Sequence, residues 1–86
     1  MNTLTKPNSL NKYYRTTDIS IATSLITIEH KLEDIDRSNP EKVIFIFIYS
    51  EKLNTNIKKY WSNTLLIPAR TYFENLKMLK SRIYNN

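Results

Sequence analysis

The stretch "KVIFIFIYS", residues 42–50, decides how the rest of the chain is interpreted. Successive side chains of a strand point to opposite faces. One face therefore carries Val43 and two phenylalanines, and the other carries Ile44, Ile46 and Ile48. Strands that are apolar on both faces are typical of the centre of a sheet. We expect a central strand that is covered on both sides, either by the protein's own helices or by a partner.

The neighbouring segments complete a small domain of the α+β class. "KLEDID", residues 31–36, is predicted to form a hairpin with the central strand, because the Asn-Pro between them is a turn signal. "YYRT", residues 13–16, is a further short strand. Capping residues, apolar spacings of three and four, and a proline at a first helical position predict helices over 17–30, 51–63 and 68–83. The expected fold is a three-stranded, mainly antiparallel sheet with three helices, in the order β-α-β-β-α-α.

The first twelve residues differ from the rest of the chain. "MNTLTKPNSLNK" is polar, contains a proline and has no helical or strand period. Such a composition is typical of a mobile terminus. We therefore predict a flexible arm over residues 1–12 and a single α+β domain over residues 13–86.

The composition excludes several classes of protein. The 86 residues contain no cysteine and one histidine, which excludes disulfides, thiol catalysis and metal clusters rich in Cys or His. The chain has no glycine, so the glycine-dependent phosphate loops of nucleotide-binding enzymes are missing. No apolar run reaches the roughly 18 residues of a membrane span, and no signal peptide is evident. We expect a cytoplasmic protein without catalytic activity, metal or cofactor.

The positive charge is concentrated in the C-terminal part. The net charge is +5, and from Lys52 onward seven basic residues stand against one acid, Glu74. A basic surface favours an anionic partner, with nucleic acid as the leading candidate. A chain from an AT-rich genome would be equally rich in Lys, Asn, Ile and Tyr without that function, and this alternative stays open. The candidate phosphate-contacting residues are Lys52, Lys58, Lys59, Arg70, Lys77 and Arg82.

The first predicted helix suggests a second function. Its apolar side chains occupy one half of the helix, and the other half is uncharged and carries Ser20, Thr23, Ser24 and Thr27. Such a face either contacts a partner or packs beneath the N-terminal arm. The alternative function is a protein-interaction module, an inhibitor or adaptor encoded by a phage or mobile element, that uses this face or an apolar face of the sheet. Weak self-association through the sheet would place the protein in an equilibrium between a monomer and a homodimer.

Lys80 stands out in the last predicted helix. It falls inside an apolar stripe formed by Tyr72, Phe73, Leu76, Leu79, Ile83 and Tyr84. Three roles are open for it. Its stem can lie on the apolar surface with the ammonium in water, the ammonium can pair with a carboxylate such as Asp18, or it can contact a ligand.

Three other residues are assigned structural roles. Tyr60 and Trp61 complete the apolar stripe of the second helix, so both are predicted to lie in the core. The alternative is that they follow Lys58 and Lys59 on a surface where bases stack. His30 stands where the first helix should end. We expect it to adopt the left-handed conformation that glycine usually supplies at that place.

Four motifs follow one another over residues 13–84: "TTDISIATSLI", "VIFIF", "KKYW" and "LKMLKSRIY". Together they resemble a family of short domains of unknown function from bacteria and mobile elements. The resemblance implies the same β-α-β-β-α-α unit and no established activity. Glycine is usual in that family where this chain has His30, which agrees with the capping role. The positions that match the family pattern are Asp18, Ala22, Leu25, Phe45, Phe47, Tyr60, Trp61, Lys80, Ser81 and Tyr84.

Overall fold

The computed structural model describes residues 12–84, which form three strands and three helices. In chain order these are β1 (Tyr13–Thr16), α1 (Ile19–Thr27), β2 (Leu32–Asp36), β3 (Ile44–Ile48), α2 (Glu51–Trp61) and α3 (Ala69–Tyr84). The predicted α+β class and the order β-α-β-β-α-α are confirmed. The predicted flexible arm, apart from Lys12, lies outside the described residues.

β3 is the middle strand of the sheet, whose order is β1-β3-β2. Both neighbours pair with it in antiparallel fashion. Phe47 stands opposite Tyr14 of β1, and Phe45 stands opposite Ile35 of β2. A bulge interrupts the β2 pairing near the start of that strand. The predicted central position of β3 is confirmed.

The helices pack against one face of β3. Phe45 and Phe47 are buried, whereas Ile44 and Ile46 are half-buried and 47% of Ile48 is exposed. Because α2 and α3 both pack on α1, the three helices form a single body on the phenylalanine side. Within residues 12–84 the helices therefore do not cover both faces of β3, and the first of the two expected arrangements is not adopted. The core consists of Ile21, Ala22, Leu25, Phe45, Phe47, Leu53 and Leu79.

The uncharged face of α1 lies in the interior of the protein. Thr23 and Ser24 are almost completely buried. The Thr23 hydroxyl donates to the Ile19 carbonyl at 2.6 Å, so it is satisfied within the helix. The protein's own helices cover this face, which removes most of it as a contact surface for a partner. The other expected role, packing beneath the N-terminal arm, concerns residues outside the described range.

Hydrogen bonds join the same face to the other two helices. The Asn75 amide of α3 donates to the Thr27 hydroxyl at 3.1 Å. The Ser20 hydroxyl lies 2.8 Å from the Tyr60 hydroxyl of α2 and accepts from the Tyr72 hydroxyl of α3 at 3.2 Å. Buried hydroxyl groups can make all the hydrogen bonds they need in this way, whereas a buried charge also needs an opposite charge beside it. The absence of charge on this face follows from its burial.

The turn after α1 is closed by Glu29 and not by His30. Glu29 has a φ of 74°, in the left-handed region. Its N–H donates to the Ile26 carbonyl, and the His30 N–H donates to the Leu25 carbonyl, both at 2.9 Å. This is a Schellman motif, in which the left-handed residue is the second after the last helical one. Since α1 ends at Thr27, the prediction for His30 is wrong by one residue.

Candidate nucleic-acid interface

α3 packs on α1 through a narrower stripe than the sequence predicts. Leu79 is fully buried, and the half-buried apolar side chains around it are Tyr72, Leu76 and Ile83. Phe73 and Tyr84 lie outside the contact, with 57% and 76% of their surface exposed. Their predicted burial is wrong. A surface helix buries a stripe of about 100°. Each of these rings is turned about 100° from the half-buried residue before it, Tyr72 or Ile83, which places the ring beyond the stripe.

The outer side of α3 carries cations and aromatic rings together. Arg70, Phe73, Lys77, Lys80 and Tyr84 follow at spacings of 3, 4, 3 and 4 residues, and all are exposed. These spacings place them on one side of a helix. The Lys77 ammonium lies 5.1 Å from the centroid of the Phe73 ring, within cation–π range. We call these five residues the α3 stripe.

Two acidic residues adjoin the α3 stripe: Glu74 on the same helix, and Glu41, which lines the same open cavity as Lys80 and Tyr84. Arg70 Nε lies 3.4 Å from the Glu74 carboxylate, and both side chains are exposed. Exposed pairs at this helical spacing stabilise by only about 0.3–0.5 kcal/mol. The Arg70 guanidinium can therefore exchange this partner for a phosphate at little cost.

Lys80 belongs to the α3 stripe and not to the core. It is exposed and lies at an open cavity of about 460 Å³ that Lys42 and Tyr84 also line. Of the three roles open for Lys80, the ion pair with Asp18 is not formed. The Asp18 carboxylate instead accepts from two backbone N–H groups of α1, at 2.8 and 3.2 Å, and caps that helix. A stem lying on the surface and a ligand contact are the two roles that remain for Lys80.

Trp61 is exposed, against the prediction that it lies in the core. Its exposed fraction is 68%, and its ring meets the Tyr60 ring edge-on with 5.2 Å between centroids. Tyr60 is half-buried and points towards α1. Consecutive helical residues point about 100° apart, so the inward turn of Tyr60 directs Trp61 outward. Lys58, three residues before Trp61, lies on the same side.

The other flank of α2 carries two cations beside His30. Lys52 and Lys59 line one open cavity together with Asn56. The Asn56 amide nitrogen donates to His30 Nε2 at 2.9 Å. Burial lowers the pKa of His30, and the positive charge of Lys52 lowers it further. His30 is therefore neutral at pH 7 and acts as a hydrogen-bond acceptor that joins the turn after α1 to α2.

The six predicted phosphate-contacting residues are all exposed but fall into separate groups. On α3, Arg70 and Lys77 lie in the stripe. Arg82 lies about 140° around the helix from Lys77, where its backbone carbonyl accepts from the Arg37 guanidinium at 3.1 Å. The three lysines of α2 divide between the two flanks of that helix.

Sequence reasoning misses the exposed aromatic residues of this surface. Phe73, Tyr84 and Trp61 fall on the apolar stripes that helical spacing predicts for their helices, and this spacing places them in the core. A signal was nevertheless available on α3, where Phe73 and Lys77 stand four residues apart, as do Lys80 and Tyr84. Residues four apart share a helix side, so two rings paired with cations in this way indicate a solvated side.

A family model matches almost the whole chain. It is described as a domain of unknown function (DUF5659) and matches residues 11–85, which include every strand and helix above. The chain belongs to this family. The resemblance to a family of unknown function is thereby confirmed, and the DUF5659 description assigns no activity. No curated protein and no solved structure matches the chain.

The described part of this DUF5659 member, residues 12–84, contains neither a helix that could span a membrane nor a cluster of metal-ligating side chains. None of the helices in that range is long and apolar enough to cross a membrane. The same residues contain no group of three or more His, Cys, Asp or Glu side chains that could hold a metal ion.

Proposed function

We propose that this protein is a small cytoplasmic accessory protein that binds single-stranded nucleic acid through the α3 stripe and has no catalytic activity. The exposure of Phe73 and Tyr84 among three cations is the observation that carries the proposal. Proteins that bind single strands combine aromatic rings, on which bases stack, with cations that follow the backbone. The α3 stripe presents both on one side of a helix.

The charge of the surrounding surface supports an anionic ligand. From Lys52 to the end of the chain, seven basic residues against Glu74 give a net charge of +6. The exposed cations of α2 belong to the same part of the chain and would add phosphate contacts beyond the α3 stripe. Such contacts supply affinity by releasing counterions, and they carry little sequence preference.

The exposed rings favour a single strand over a duplex. Base faces are stacked inside a duplex, and they become available in single-stranded segments. Phe73 and Tyr84 stand eleven residues apart, which on a helix is about 16 Å. The two rings are therefore too far apart for one base and would engage bases at two places along a strand.

The alternative function is a protein-interaction module, and one of its two candidate surfaces is accessible. The Ser/Thr face of α1 is buried. The isoleucine face of β3 is not covered within residues 12–84, with Ile48 47% exposed. This observation supports an interaction surface on the sheet, on the opposite side of β3 from the helices.

A salt-titrated binding assay tests the nucleic-acid proposal. Fluorescence anisotropy would be measured with labelled DNA and RNA strands of about 20 nucleotides, single and paired. We expect binding of the single strands at about 50 mM salt and a linear fall of log K with log salt. The one tryptophan of the chain, Trp61, is exposed and gives an independent signal through its fluorescence.

Paired variants separate stacking from charge. Replacing both rings, Phe73→Ala with Tyr84→Ala, should weaken binding at least about tenfold, since stacking contributes roughly 1–3 kcal/mol per base. Lys77→Gln should reduce the salt slope by about 0.7. The controls are Met78→Ala, on another side of α3, and Lys31→Gln, which removes the same charge at the start of the hairpin. No binding at low salt, or unchanged binding by the double ring variant, would refute the proposal.

A further inference from the structure

The uncovered face of the sheet has an ordered distribution of charge. In the strand register, Arg15 of β1, Ile46 of β3 and Asp34 of β2 stand in one row across the sheet. Asp36 stands opposite Ile44 on the same face. Because the order is β1-β3-β2, this face has a cation at one edge, isoleucines along the middle and carboxylates at the other edge.

These side chains are accessible and close to one another. Tyr13, Arg15, Glu33, Asp34 and Ile46 line one open cavity on this face. The Arg15 guanidinium lies 5.7 Å from the centroid of the Tyr13 ring. The water-exposed face of a sheet normally carries polar residues, whereas every outward-facing residue of β3 is an isoleucine.

We propose that this face binds a second copy of the chain, related to the first by a twofold axis parallel to β3. Such an axis places β1 of one copy over β2 of the other, because it exchanges the two edges of the sheet. Arg15 of one copy then meets Asp34 of its partner, and the reverse contact forms at the other edge, as an isologous interface requires. The isoleucines of β3 lie along the axis and meet their own counterparts.

The charge pattern selects this axis over the other face-to-face arrangement. A twofold axis perpendicular to the strands would stack β1 on β1 and β2 on β2. Arg15 would then face Arg15 and the carboxylates would face carboxylates, which opposes association. Aligned packing of two sheets at about 10 Å separation, with the side chains of the inner faces interdigitating, is a common geometry for two sheets that pack face to face.

The size of the face predicts a weak dimer. Three strands of about five residues give a footprint of roughly 14 by 17 Å, or about 250 Å², from strand spacing and rise. Stable complexes bury about 800 Å² of accessible surface per partner. The dimer should therefore form in a concentration-dependent manner and not as an obligate unit.

Analytical ultracentrifugation of the full chain tests the arrangement. We expect the average mass to rise from the monomer value of 10.2 kDa towards twice that value as concentration increases from about 10 µM to about 1 mM. Arg15→Asp and Asp34→Arg should each raise the dissociation constant at least about tenfold by placing like charges across the axis. The double variant should restore it to within about threefold of the wild type, because the complementary pairs re-form in the opposite sense.

Cysteine crosslinking gives a second readout, free of background because the chain contains no cysteine. Ile46→Cys places a thiol on the proposed axis and should form a disulfide-linked dimer under mild oxidation. Phe73→Cys, at an exposed site on α3, is the matched control and should remain largely monomeric.

Four results would overturn the proposal. A wild-type chain that stays monomeric at about 1 mM would mean that residues 1–11 or a different protein covers the face. Single charge variants that dimerise like the wild type, or a double variant that fails to recover, would reject the twofold axis. Equal crosslinking of the Ile46→Cys and Phe73→Cys variants would reject the face itself. Circular dichroism of each variant establishes that the fold is retained.

Discussion

Replacing Glu29 by glycine should stabilise this glycine-free protein. Glu29 has a φ of 74° and an exposed side chain. A non-glycine residue in the left-handed region is destabilised by roughly 1–2 kcal/mol. Glycine removes this strain but makes the unfolded chain more flexible, which offsets roughly 0.5–1 kcal/mol. The net gain should be about 0.5–1 kcal/mol, or an increase of about 4 °C in Tm for a domain of this size.

Urea unfolding followed by circular dichroism measures the difference, and two controls define its origin. Glu29→Ala removes the same carboxylate but retains Cβ, so its stability should stay within about 0.5 kcal/mol of the wild type. Asn63, with a φ of 62°, closes α2 in the same way. Asn63→Gly should gain less, because asparagine tolerates this region. A Glu29→Gly variant no more stable than Glu29→Ala would refute the reasoning.

Two further predictions concern residues whose roles the structure defines. Lys80→Met should change the free energy of unfolding by less than about 1 kcal/mol, and Asp18→Ala should cost about 1 kcal/mol through loss of the α1 cap. In a double-mutant cycle the two effects should add within about 0.5 kcal/mol, and a larger coupling would reveal a pair that this structure does not contain. For His30, burial and Lys52 lower the pKa in the folded protein, so the unfolded chain binds the proton more tightly. The His30 contribution to stability should be complete above the ordinary pKa of 6.5 and be lost as the pH falls through the folded value. Urea unfolding at several pH values should show this slope, and His30→Gln, which keeps an acceptor for Asn56, should remove it.

The fold was predictable because its strongest sequence signals are local. The apolar stretch around Phe45 fixes a central strand, the Asn-Pro turn fixes its hairpin, and Pro68 fixes the start of the last helix. The layering was not predictable from these signals. An apolar face such as that of Ile44, Ile46 and Ile48 looks the same in sequence whether a helix, a second copy or water covers it. The choice depends on α2 and α3 both packing on α1, which is a long-range outcome.

The candidate site was harder to predict for a related reason. Helical spacing shows which residues share a side but not how wide the buried stripe is. On α3, hydrogen bonds from Tyr72 and Asn75 to α1 replace part of the apolar contact, which leaves Phe73 and Tyr84 outside. On α2, Tyr60 takes the inward position and Trp61 does not. Of the aromatic residues on these two helices, Tyr60 and Tyr72 therefore face inward as predicted, whereas Trp61, Phe73 and Tyr84 face the solvent.

The two proposed surfaces lie on different layers, so they can operate together. The isoleucine face belongs to the sheet, and the α3 stripe belongs to the helical layer behind it. A dimer formed through the sheet would leave both stripes exposed and could bind one long strand twice. The second contact would then be intramolecular and would raise the apparent affinity without any new interaction.

This coupling makes a prediction that neither surface makes alone. At protein concentrations where the dimer forms, strands of about 40 nucleotides should bind at least about tenfold more tightly than strands of about 8. Arg15→Asp, which opposes dimerisation, should remove most of that difference and leave the affinity for the short strand unchanged. The Arg15→Asp, Asp34→Arg double variant should recover it. Because Arg15 lies on the sheet and not in the stripe, equal loss on both strand lengths would show that the sheet face itself contacts nucleic acid and that the two surfaces are not separate.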